Sequence, residues 1–332
     1  MKILFIHKDL NQDVNAGGIN TVYLKHIEEL EKTNNELFCI TSRSGKWNLK
    51  CKRYIVTFDR EKRQDEIEKI INEIDPDIID VFSWNAEILN YVKKNHRAKI
   101  IMRGDIPMHF YGLESIDEEM ARYVDKVISI SKWCDSEWSS VIGHNTTIIP
   151  HACDLNVKKN ISKIPNTVVW IGKETYIKGF DFIFELPNDF FKKYKLTVVC
   201  AKTKYSDISK FKLLKSKGVE IKENLSTDDY NDLLESSEYV LSTARKEGFC
   251  IAVLEAMQFG CVPLIPYWIG GTKDFVNNRN GIIYKNFNDC LAKMYKCNVK
   301  YKAELSKKTA KKYTWDKVVN KSLKVYKELN NE

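Results

Sequence analysis

The fold is decided by the stretch Lys246-Glu247-Gly248-Phe249-Cys250-Ile251-Ala252-Val253-Leu254-Glu255-Ala256-Met257. It stands between two short apolar runs, residues 239–243 and 261–265, which predict buried strands. Strand, loop, short helix and strand form a βαβ unit, and such units bind ligands beyond the carboxyl ends of their strands. The stretch therefore predicts a parallel α/β sheet with a ligand site in the loop that begins at Lys246.

The polar groups of this stretch suit a ligand with two diols joined by a diphosphate. Glu247 lies in the predicted loop and Glu255 lies about one turn into the helix, so each carboxylate can accept hydrogen bonds from two neighbouring hydroxyls. Gly248 lets a ligand approach the backbone closely. Backbone N–H groups at the start of the helix can bind phosphate oxygens, and they belong to Phe249, Cys250 and Ile251. A nucleotide-sugar carries this combination of groups.

The same residues carry a resemblance to a known family. Glu247 is followed by Gly248-Phe249, Glu255 is followed by Ala256-Met257, and Gly270-Gly271 stand downstream. This pattern resembles the signature of retaining glycosyltransferases of family 4. The resemblance implies the GT-B fold, an α/β architecture in which two doubly wound Rossmann-like domains face a cleft and a C-terminal helix crosses back to the first domain. Taken alone, the two glutamates would be better explained as one residue of a surface loop and one residue on a solvated helix face.

Length and composition predict a globular protein of two domains. The chain has 332 residues, of which 43% are apolar and 30% charged, and this is longer than one ordinary core supports. We expect an acceptor-side Rossmann-like domain at 1–155 and a nucleotide-sugar-binding Rossmann-like domain at 156–315, which opens with a polar linker at 156–165. A helix at 316–332 is expected to return to the first domain. The roles given to these domains follow from the resemblance.

The cysteines and the hydropathy pattern bear on the location of the chain. Its nine cysteines form no C-x-x-C pair and have no histidine at metal-binding spacing, which is typical of reduced thiols in the cytoplasm. The first apolar run is too short for a signal peptide, and no run approaches the length of a transmembrane span. We therefore expect a cytoplasmic protein.

Part of the net charge of +8 is concentrated in one stretch, residues 43–63. Such a surface can serve phosphates, nucleic acid or anionic lipid, and charge alone does not choose. No nucleic-acid-binding motif accompanies it, so we expect no nucleic-acid partner. Two interpretations stay open, a solvated face or peripheral docking on the inner face of an anionic membrane. The stretch contains Arg43, Lys46, Lys50, Lys52, Arg53, Arg60, Lys62 and Arg63, together with Trp47 and Tyr54.

Candidate site residues in the first half follow predicted strands at 1–7 and 98–102. The glycine pair Gly17-Gly18 comes after the first strand and can bring the backbone close to the phosphates of the donor. Arg103-Gly104-Asp105 comes directly after the second strand, where the resembled family often has a histidine. Arg103 is expected either to contact a phosphate or the sugar, or to pair with Asp105.

Two lysines in the second half suit a leaving diphosphate. Lys173 and Lys178 flank a turn that follows a strand predicted at 167–171 and leads into a helix. Their ammonium groups and the N–H groups at the helix start would stabilise the negative charge. The resembled family has an arginine and a lysine at these positions. Lys173 therefore keeps the positive charge but cannot donate the two parallel hydrogen bonds of an arginine. No Asp-x-Asp element suggests a metal site at a strand end, and we expect neither a metal nor another cofactor.

The resemblance implies a metal-independent hexosyltransferase that retains the anomeric configuration. Its donor would be a nucleoside diphosphate sugar, with a UDP-sugar favoured, and its acceptor a saccharide or lipid-linked hydroxyl in bacterial surface polysaccharide or glycolipid synthesis. Glu247 would orient the sugar, Glu255 would bind the ribose, and Arg103 and Asp105 would line the acceptor side. Two other classes stay open. One is a non-catalytic nucleotide-sugar-binding subunit, and the other is an epimerase or hydrolase of the same fold, whose acid–base groups would be Asp105 and His109.

Overall fold

The chain forms two compact units in the computed structural model, which describes residues 1–7, 10, 18–82, 86–105, 123–142, 146–154, 161–201 and 207–331. The first unit comprises Met1–Ala152 together with Trp315–Glu332, and the second comprises Cys153–Thr314. In the described parts no helix is both long enough and apolar enough to cross a membrane. All nine cysteines are free thiols.

A parallel sheet of seven strands forms the centre of the first unit. Its strands are β1 Lys2–His7, β2 Glu36–Thr41, β3 Lys52–Ile55, β4 Ile78–Phe82, β5 Lys99–Gly104, β6 Lys126–Ser129 and β7 Thr146–Ile148. They lie in the order β3-β2-β1-β4-β5-β6-β7, so the strand order reverses between β1 and β4 in the doubly wound manner. β4 is buried at every residue, as expected for a parallel strand covered on both faces.

Helices lie in the connections of this sheet, and α2 is capped at both ends. The first four are α1 Gly18–Leu30, α2 Arg60–Ile74, α3 Ala86–Asn95 and α4 Lys132–Ile142. Asp59 caps α2 by accepting a hydrogen bond from the Lys62 N–H at 3.2 Å, because the first N–H groups of a helix lack partners within it. Asp75 ends α2 in the left-handed conformation at φ 45°.

The second unit repeats this architecture with a parallel sheet of six strands. Its strands are β8 Ile164–Lys173, β9 Lys195–Ala201, β10 Glu220–Lys222, β11 Ser237–Leu241, β12 Val262–Pro266 and β13 Ile282–Tyr284. They lie in the order β10-β9-β8-β11-β12-β13, which reverses between β8 and β11. The largest buried side chains on and beside this sheet are Trp170, Tyr284, Phe180 and Phe190.

Six α-helices and two short 3-10 helices complete the described parts of the second unit. The α-helices are α5 Asn188–Lys193, α6 Ile208–Ser216, α7 Thr227–Ser236, α8 Ile251–Gln258, α9 Phe287–Tyr295 and α10 Val299–Ala310. The 3-10 helices are Phe180–Glu185 and Gly271–Asp274. α8 therefore begins at Ile251, where the deciding stretch predicts a helix.

The last helix, α11 Trp315–Asn330, belongs to the first unit. It packs against α1 and buries one face at helical spacing. The buried residues are Trp315, Val318, Val319, Ser322, Val325, Tyr326 and Leu329. The predicted fold class is confirmed by the two doubly wound parallel sheets and by this returning helix.

One predicted strand boundary differs from the structure for a visible reason. The polar run before the predicted strand at 167–171 reads as linker, yet β8 already begins at Ile164, which pairs with Ser237 of β11. A register shift between Ser237 and Tyr239 and a left-handed Asn166 at φ 62° absorb the irregularity. A bulge also tolerates Pro165, which cannot donate to the ladder.

Candidate active site

Two loops of the second unit bring a lysine and a glutamate together at the carboxyl edge of the sheet. The neighbouring strands β8 and β11 end at Lys173 and Leu241. Lys178 follows the first strand, Glu247 follows the second, and the Lys178 Nζ lies 2.5 Å from the Glu247 Oε2. The lysine side chain is 36% exposed and the glutamate 14%, so the pair lies at the surface of the unit. The structure thus brings together two of the predicted site residues.

Buried aromatic side chains hold the start of the Glu247 loop. The indole N–H of Trp170 donates to the Thr243 Oγ1 at 2.9 Å, and the hydroxyl of Tyr284 donates to the Ser242 carbonyl at 2.7 Å. Because buried Trp and Tyr need partners for their polar atoms, these hydrogen bonds tie the backbone after β11 to the core. The Glu247 loop therefore starts from a fixed position.

The chain turns sharply between Glu247 and the start of α8. Cys250 precedes the helix in the left-handed conformation, at φ 70° and ψ 71°, a region that residues other than glycine rarely adopt. The preceding Phe249 is buried and packs its ring against Phe275 and Tyr313, with centroids 4.9 and 5.7 Å away. This anchored ring, rather than a side-chain cap, fixes the turn that leads into α8.

The glycine pair Gly270-Gly271 belongs to a segment that is hydrogen-bonded to the same loop. The Gly271 N–H donates to the Glu247 carbonyl at 2.9 Å, and the Thr272 hydroxyl donates to the Phe249 carbonyl at 3.2 Å. Both acceptors are main-chain groups of the deciding stretch. The segment after β12 therefore helps to hold Glu247 in place.

Glu255 lies on α8, four residues beyond its first residue Ile251, and has a hydroxyl partner. The Tyr230 hydroxyl donates to the Glu255 Oε2 at 2.8 Å. Burial raises the pKa of Glu255 to about 7 and the nearby Asp154 carboxylate adds to the rise, whereas the hydrogen bond from Tyr230 opposes it. This carboxyl group therefore changes its charge near neutral pH.

The turn that carries Lys178 approaches the Glu247 loop too closely for a side chain at Gly179. Gly179 is left-handed at φ 63°, and a Cβ added there would lie 2.0 Å from the Thr243 carbonyl oxygen. The Thr243 hydroxyl also donates to the Gly179 carbonyl at 2.8 Å. Glycine is required here both for its conformation and for the contact between the two loops.

We expect Gly179→Ala to destabilise the protein more than Gly218→Ala, measured as the shift of the urea midpoint at a constant slope. Gly218 is also left-handed, at φ 80°, but a Cβ there would meet nothing within 4 Å. Gly218→Ala should therefore show only the conformational cost, about 1–2 kcal/mol. Gly179→Ala should add an overpacking cost of about 1–3 kcal/mol. Equal losses for the two variants would contradict the close contact.

The Lys173 side chain makes no hydrogen bond or ion pair with Lys178 or Glu247 in the described parts of the chain. Lys173 is the last residue of β8, and its side chain is exposed and makes no hydrogen bond or ion pair with any other described residue. Its neighbour in the sheet is Ala201 of β9. The predicted role at the diphosphate therefore stays a prediction for Lys173.

In the first unit, Arg103 is paired inside the sheet with Asp80 and not with Asp105. The Arg103 Nε and Nη2 donate to the Asp80 carboxylate in a fork, at 3.0 and 2.6 Å, and Nη2 also donates to the Tyr326 hydroxyl at 2.9 Å. Both charged side chains are almost fully buried. Burial lowers the pKa of Arg103, but Asp80 outweighs it and the pKa is raised well above its ordinary value. The predicted alternative of an Arg103–Asp105 pair is wrong.

Asp105 faces a small polar cavity of the first unit. Its Oδ2 accepts from the Tyr23 hydroxyl at 3.0 Å and lies 3.4 Å from the His151 Nε2. The Asp105 Oδ1 and the His26 Nε2 are buried and have no hydrogen-bond partner among the described residues. The cavity, of about 10 Å³, has room for one water molecule.

The remaining predicted site residues of the first unit lie in or next to parts that the structure does not describe. Gly17 and His109 lie outside the described residues, whereas Gly18 is the first residue of α1. A Cβ added at Gly18 would meet nothing within 4 Å. The phosphate-binding role of the glycine pair therefore stays a prediction.

Sequence reasoning missed several residues that contact the predicted ones. Asp80 and Tyr326 bind Arg103, Tyr23 and His151 contact Asp105, Tyr230 binds Glu255, and Arg245 contacts the Lys178 turn. Only Asp80 has a clear signal, because a carboxylate inside the apolar run Ile78–Phe82 must be paired when that strand is buried.

Comparisons with known proteins give a family match for the second unit. Residues 154–312 match the family model described as glycosyl transferases group 1. A curated relative, an uncharacterised glycosyltransferase of Methanocaldococcus jannaschii, is 24% identical over 216 residues. This alignment covers 62% of the present chain, which spans about 60% of the length of that relative.

Solved structures extend the likeness to nearly the whole chain. Sucrose-phosphate synthase from Thermosynechococcus elongatus is 12% identical with a TM-score of 0.80, and the match covers 99% of this chain and 98% of that one. HepE of Anabaena in complex with UDP-glucose is 14% identical with a TM-score of 0.77, over 99% and 100%. At these identities the likeness concerns the fold, and the two sheets are those of a GT-B protein.

Proposed function

Since residues 154–312 match the family model of glycosyl transferases group 1 in a chain of GT-B fold, we propose that the protein is a retaining glycosyltransferase. It transfers a hexose from a nucleoside diphosphate sugar to an acceptor hydroxyl. The observation that carries the proposal is the geometry after β8 and β11, where the Lys178 Nζ and the Glu247 Oε2 are 2.5 Å apart. Glu255 follows on the helix that begins beyond this loop.

The proposed chemistry assigns the lysines to the leaving group. As the acceptor oxygen forms its bond to the anomeric carbon, the bond to the diphosphate breaks, negative charge grows on the diphosphate oxygens, and the proton of the acceptor hydroxyl passes to one of them. The Lys178 and Lys173 ammonium groups and the N–H groups of Phe249, Cys250 and Ile251 stabilise that charge. Without a ligand, Glu247 is the partner of Lys178. A bound diphosphate takes over the ammonium and leaves Glu247 to the sugar hydroxyls.

The two glutamates are assigned to the sugar and the ribose of the donor. Glu247 orients the sugar and Glu255 accepts hydrogen bonds from the ribose, because ionised carboxylates are good acceptors for paired hydroxyls. The roles expected from the sequence for Gly17-Gly18 at the donor phosphates and for Asp105 at the acceptor stay predictions. Arg103 is left out of the ligand contacts, since its guanidinium is held by Asp80 and Tyr326 in the interior.

The donor, the acceptor and the location are proposed from the relatives and the composition. HepE is solved in complex with UDP-glucose and with UDP, which makes a UDP-sugar the first donor to test. WaaG, of similar fold, is described as a glycosyltransferase involved in lipopolysaccharide biosynthesis. We propose a saccharide or lipid-linked acceptor in the synthesis of a bacterial surface polysaccharide or glycolipid, at the cytoplasmic side. The nine free cysteines accord with a reducing compartment.

We expect a nucleotide-sugar, with UDP-glucose tested first, to stabilise the protein and to be consumed in the presence of EDTA. The lysines and the helix N-terminus supply the positive charge that a metal supplies in other transferases. Ligand at about a hundred times its Kd should add about 2.7 kcal/mol to the free energy of unfolding. The measurements are thermal melting and release of nucleoside diphosphate, with and without EDTA.

Each other outcome of this screen points to a different function. Activity that EDTA abolishes and manganese restores would contradict the roles given to Lys173 and Lys178. Stabilisation without turnover on any acceptor would favour a non-catalytic binding subunit. Conversion to another nucleotide-sugar, or release of free sugar at full rate without an acceptor, would favour an epimerase or a hydrolase.

We also propose that the basic stretch at 43–63 docks the first unit on an anionic membrane that carries a lipid-linked acceptor. It surrounds β3, an edge strand of the sheet. Arg43 lies 5.3 Å from the ring centroid of Phe58 and Arg53 lies 4.8 Å from that of Trp47. Phe58 is more than half exposed. Cationic groups beside aromatic rings suit the interface of an anionic bilayer.

We expect the protein to co-sediment with vesicles of phosphatidylglycerol and phosphatidylcholine at low salt and to be released by salt. Each cation near the surface contributes about 1 kcal/mol, so the triple variant Lys46→Gln, Lys50→Gln, Lys62→Gln should bind far more weakly. The control variant replaces three exposed lysines of the second unit by glutamine, Lys192, Lys212 and Lys215. Equal losses for both triple variants, or no binding at low salt, would favour a solvated face.

A further inference from the structure

One arginine connects the loop of Glu247 with the turn of Lys178. Arg245 stands two residues before Glu247, in the loop between β11 and α8. Its Nη1 donates to the Tyr176 carbonyl at 2.8 Å, and its backbone N–H donates to the Ile177 carbonyl at 2.8 Å. Both acceptors lie just before Lys178 in the chain. The two residues before Lys178 are thus bound to the Glu247 loop through two hydrogen bonds.

The same guanidinium holds the residues that follow Lys178. Its Nη1 and Nη2 donate to the two carboxylate oxygens of Asp181, each at 2.7 Å. The guanidinium carbon also lies 3.8 Å from the ring centroid of Tyr176 and 3.9 Å from that of Phe182. Arg245 therefore contacts the turn both before and after Lys178. A lysine at position 245 could not reproduce a planar fork that is also stacked on rings.

These contacts fix the orientation of the Lys178 turn but add little to the free energy of unfolding. Asp181 is about half exposed, and ion pairs that water reaches add little to the free energy of unfolding. A bidentate fork with two ring contacts nevertheless allows few orientations of the turn. Loss of Arg245 should consequently leave the protein folded while the position of the Lys178 ammonium relative to Glu247 becomes less well defined.

We propose that Arg245 is a positioning residue that sets the Lys178 Nζ against Glu247 and thereby the place where a diphosphate binds. The expected effect of Arg245 on turnover rests on the function proposed above. Arg245 directs three of its five guanidinium N–H donors to Tyr176 and Asp181 rather than to a ligand. It acts on the reaction through Lys178.

The first test is whether Arg245 and Lys178 act as one unit. Arg245→Met should lower kcat/KM for the donor found in the screen by about ten- to a hundredfold, because small displacements of a positioning group have effects of that size. Arg245→Lys should show nearly the same loss. The double variant Arg245→Met, Lys178→Ala should be no worse than Lys178→Ala alone. Losses that multiply, or an unchanged kcat/KM in folded Arg245→Met, would overturn the proposal.

The second test does not depend on activity. Hydrogen exchange of the backbone amides at 176–182, followed by mass spectrometry, should accelerate in Arg245→Met while the rest of the second unit and the melting temperature stay nearly unchanged. Lys192→Met, which removes an equal charge from an exposed pair with Asp189, should leave this exchange as it is. Unchanged exchange at 176–182 would overturn the proposal, whether or not a donor is found. Faster exchange in a protein that consumes no donor would support the positioning role of Arg245 and contradict the proposed function.

Discussion

Arg103→Ala should lower the free energy of unfolding by about 3–5 kcal/mol, because it leaves the Asp80 carboxylate buried without its charged partner. The Asp80 side chain is 1% exposed and the Arg103 side chain 6%, and the Arg103 Nη2 lies 2.6 Å from the Asp80 Oδ2. The remaining hydrogen bond from the Tyr326 hydroxyl, at 2.6 Å, cannot neutralise the carboxylate. The measurement is urea unfolding of the purified protein, compared at a constant slope.

Two control variants separate burial from simple loss of charge. Lys52→Ala breaks the exposed pair with Glu73 in the same unit, and such pairs contribute about 0–1 kcal/mol. The double variant Asp80→Leu, Arg103→Leu removes both charges, so it should be less destabilising than the sum of the single replacements. A loss in Arg103→Ala no larger than in Lys52→Ala would show that water reaches the pair.

Glu247→Ala should lower kcat of the proposed transferase by ten- to more than a hundredfold, whereas Glu255→Ala should chiefly raise the KM of the donor. Each charge-assisted hydrogen bond that is lost is worth about 1.5–3 kcal/mol. The sugar held by Glu247 changes charge and shape during transfer, while the ribose held by Glu255 stays as it is. Steady-state kinetics with varied donor measures both. Neither carboxylate belongs to the apolar core, so both variants should melt close to the parent protein.

Binding of free UDP tests the placement of the two glutamates without turnover. UDP lacks the sugar, so Glu247→Ala should leave its affinity nearly unchanged and Glu255→Ala should weaken it. Because the pKa of Glu255 is raised to about 7, its carboxylate is present only above that pH, and UDP should bind more tightly as pH rises through about 7. Glu255→Gln should show only the titration of the UDP phosphate. Equal weakening of UDP binding in the two alanine variants would contradict this placement of the donor.

The fold could be predicted because the sequence patterns that indicate its strands and helices are local. Apolar runs bounded by turns give the strands, and the parallel arrangement follows from the helices between them. β1 and β5, at Lys2–His7 and Lys99–Gly104, lie within two residues of the strands predicted at 1–7 and 98–102. The start of β8 was not predictable, since Ile164 becomes a strand residue only through its pairing with Ser237 on β11 and the bulge beside it.

The site was predictable in part, since two of its residues belong to sequence motifs and their neighbours do not. Glu247 and Lys178 were found by motif, and their ion pair follows from two loops at one edge of the sheet. The partner of Arg103 was missed because an arginine and an aspartate two residues apart look like a local pair. The actual partner, Asp80, lies on the adjacent strand, and sheet register decides which side chains meet there.

The helix Trp315–Asn330 has a consequence for how the protein is made on the ribosome. It completes the first unit, although residues 153–314 of the second unit are synthesised before it. Until Tyr326 has left the exit tunnel, the Asp80 carboxylate and the Arg103 guanidinium lack the hydroxyl that joins them to the last helix. The second unit is continuous in sequence, and the Cys153 N–H near its start donates to the Tyr313 carbonyl near its end at 3.3 Å. The nascent chain can thus close its later unit first and finish its earlier one last.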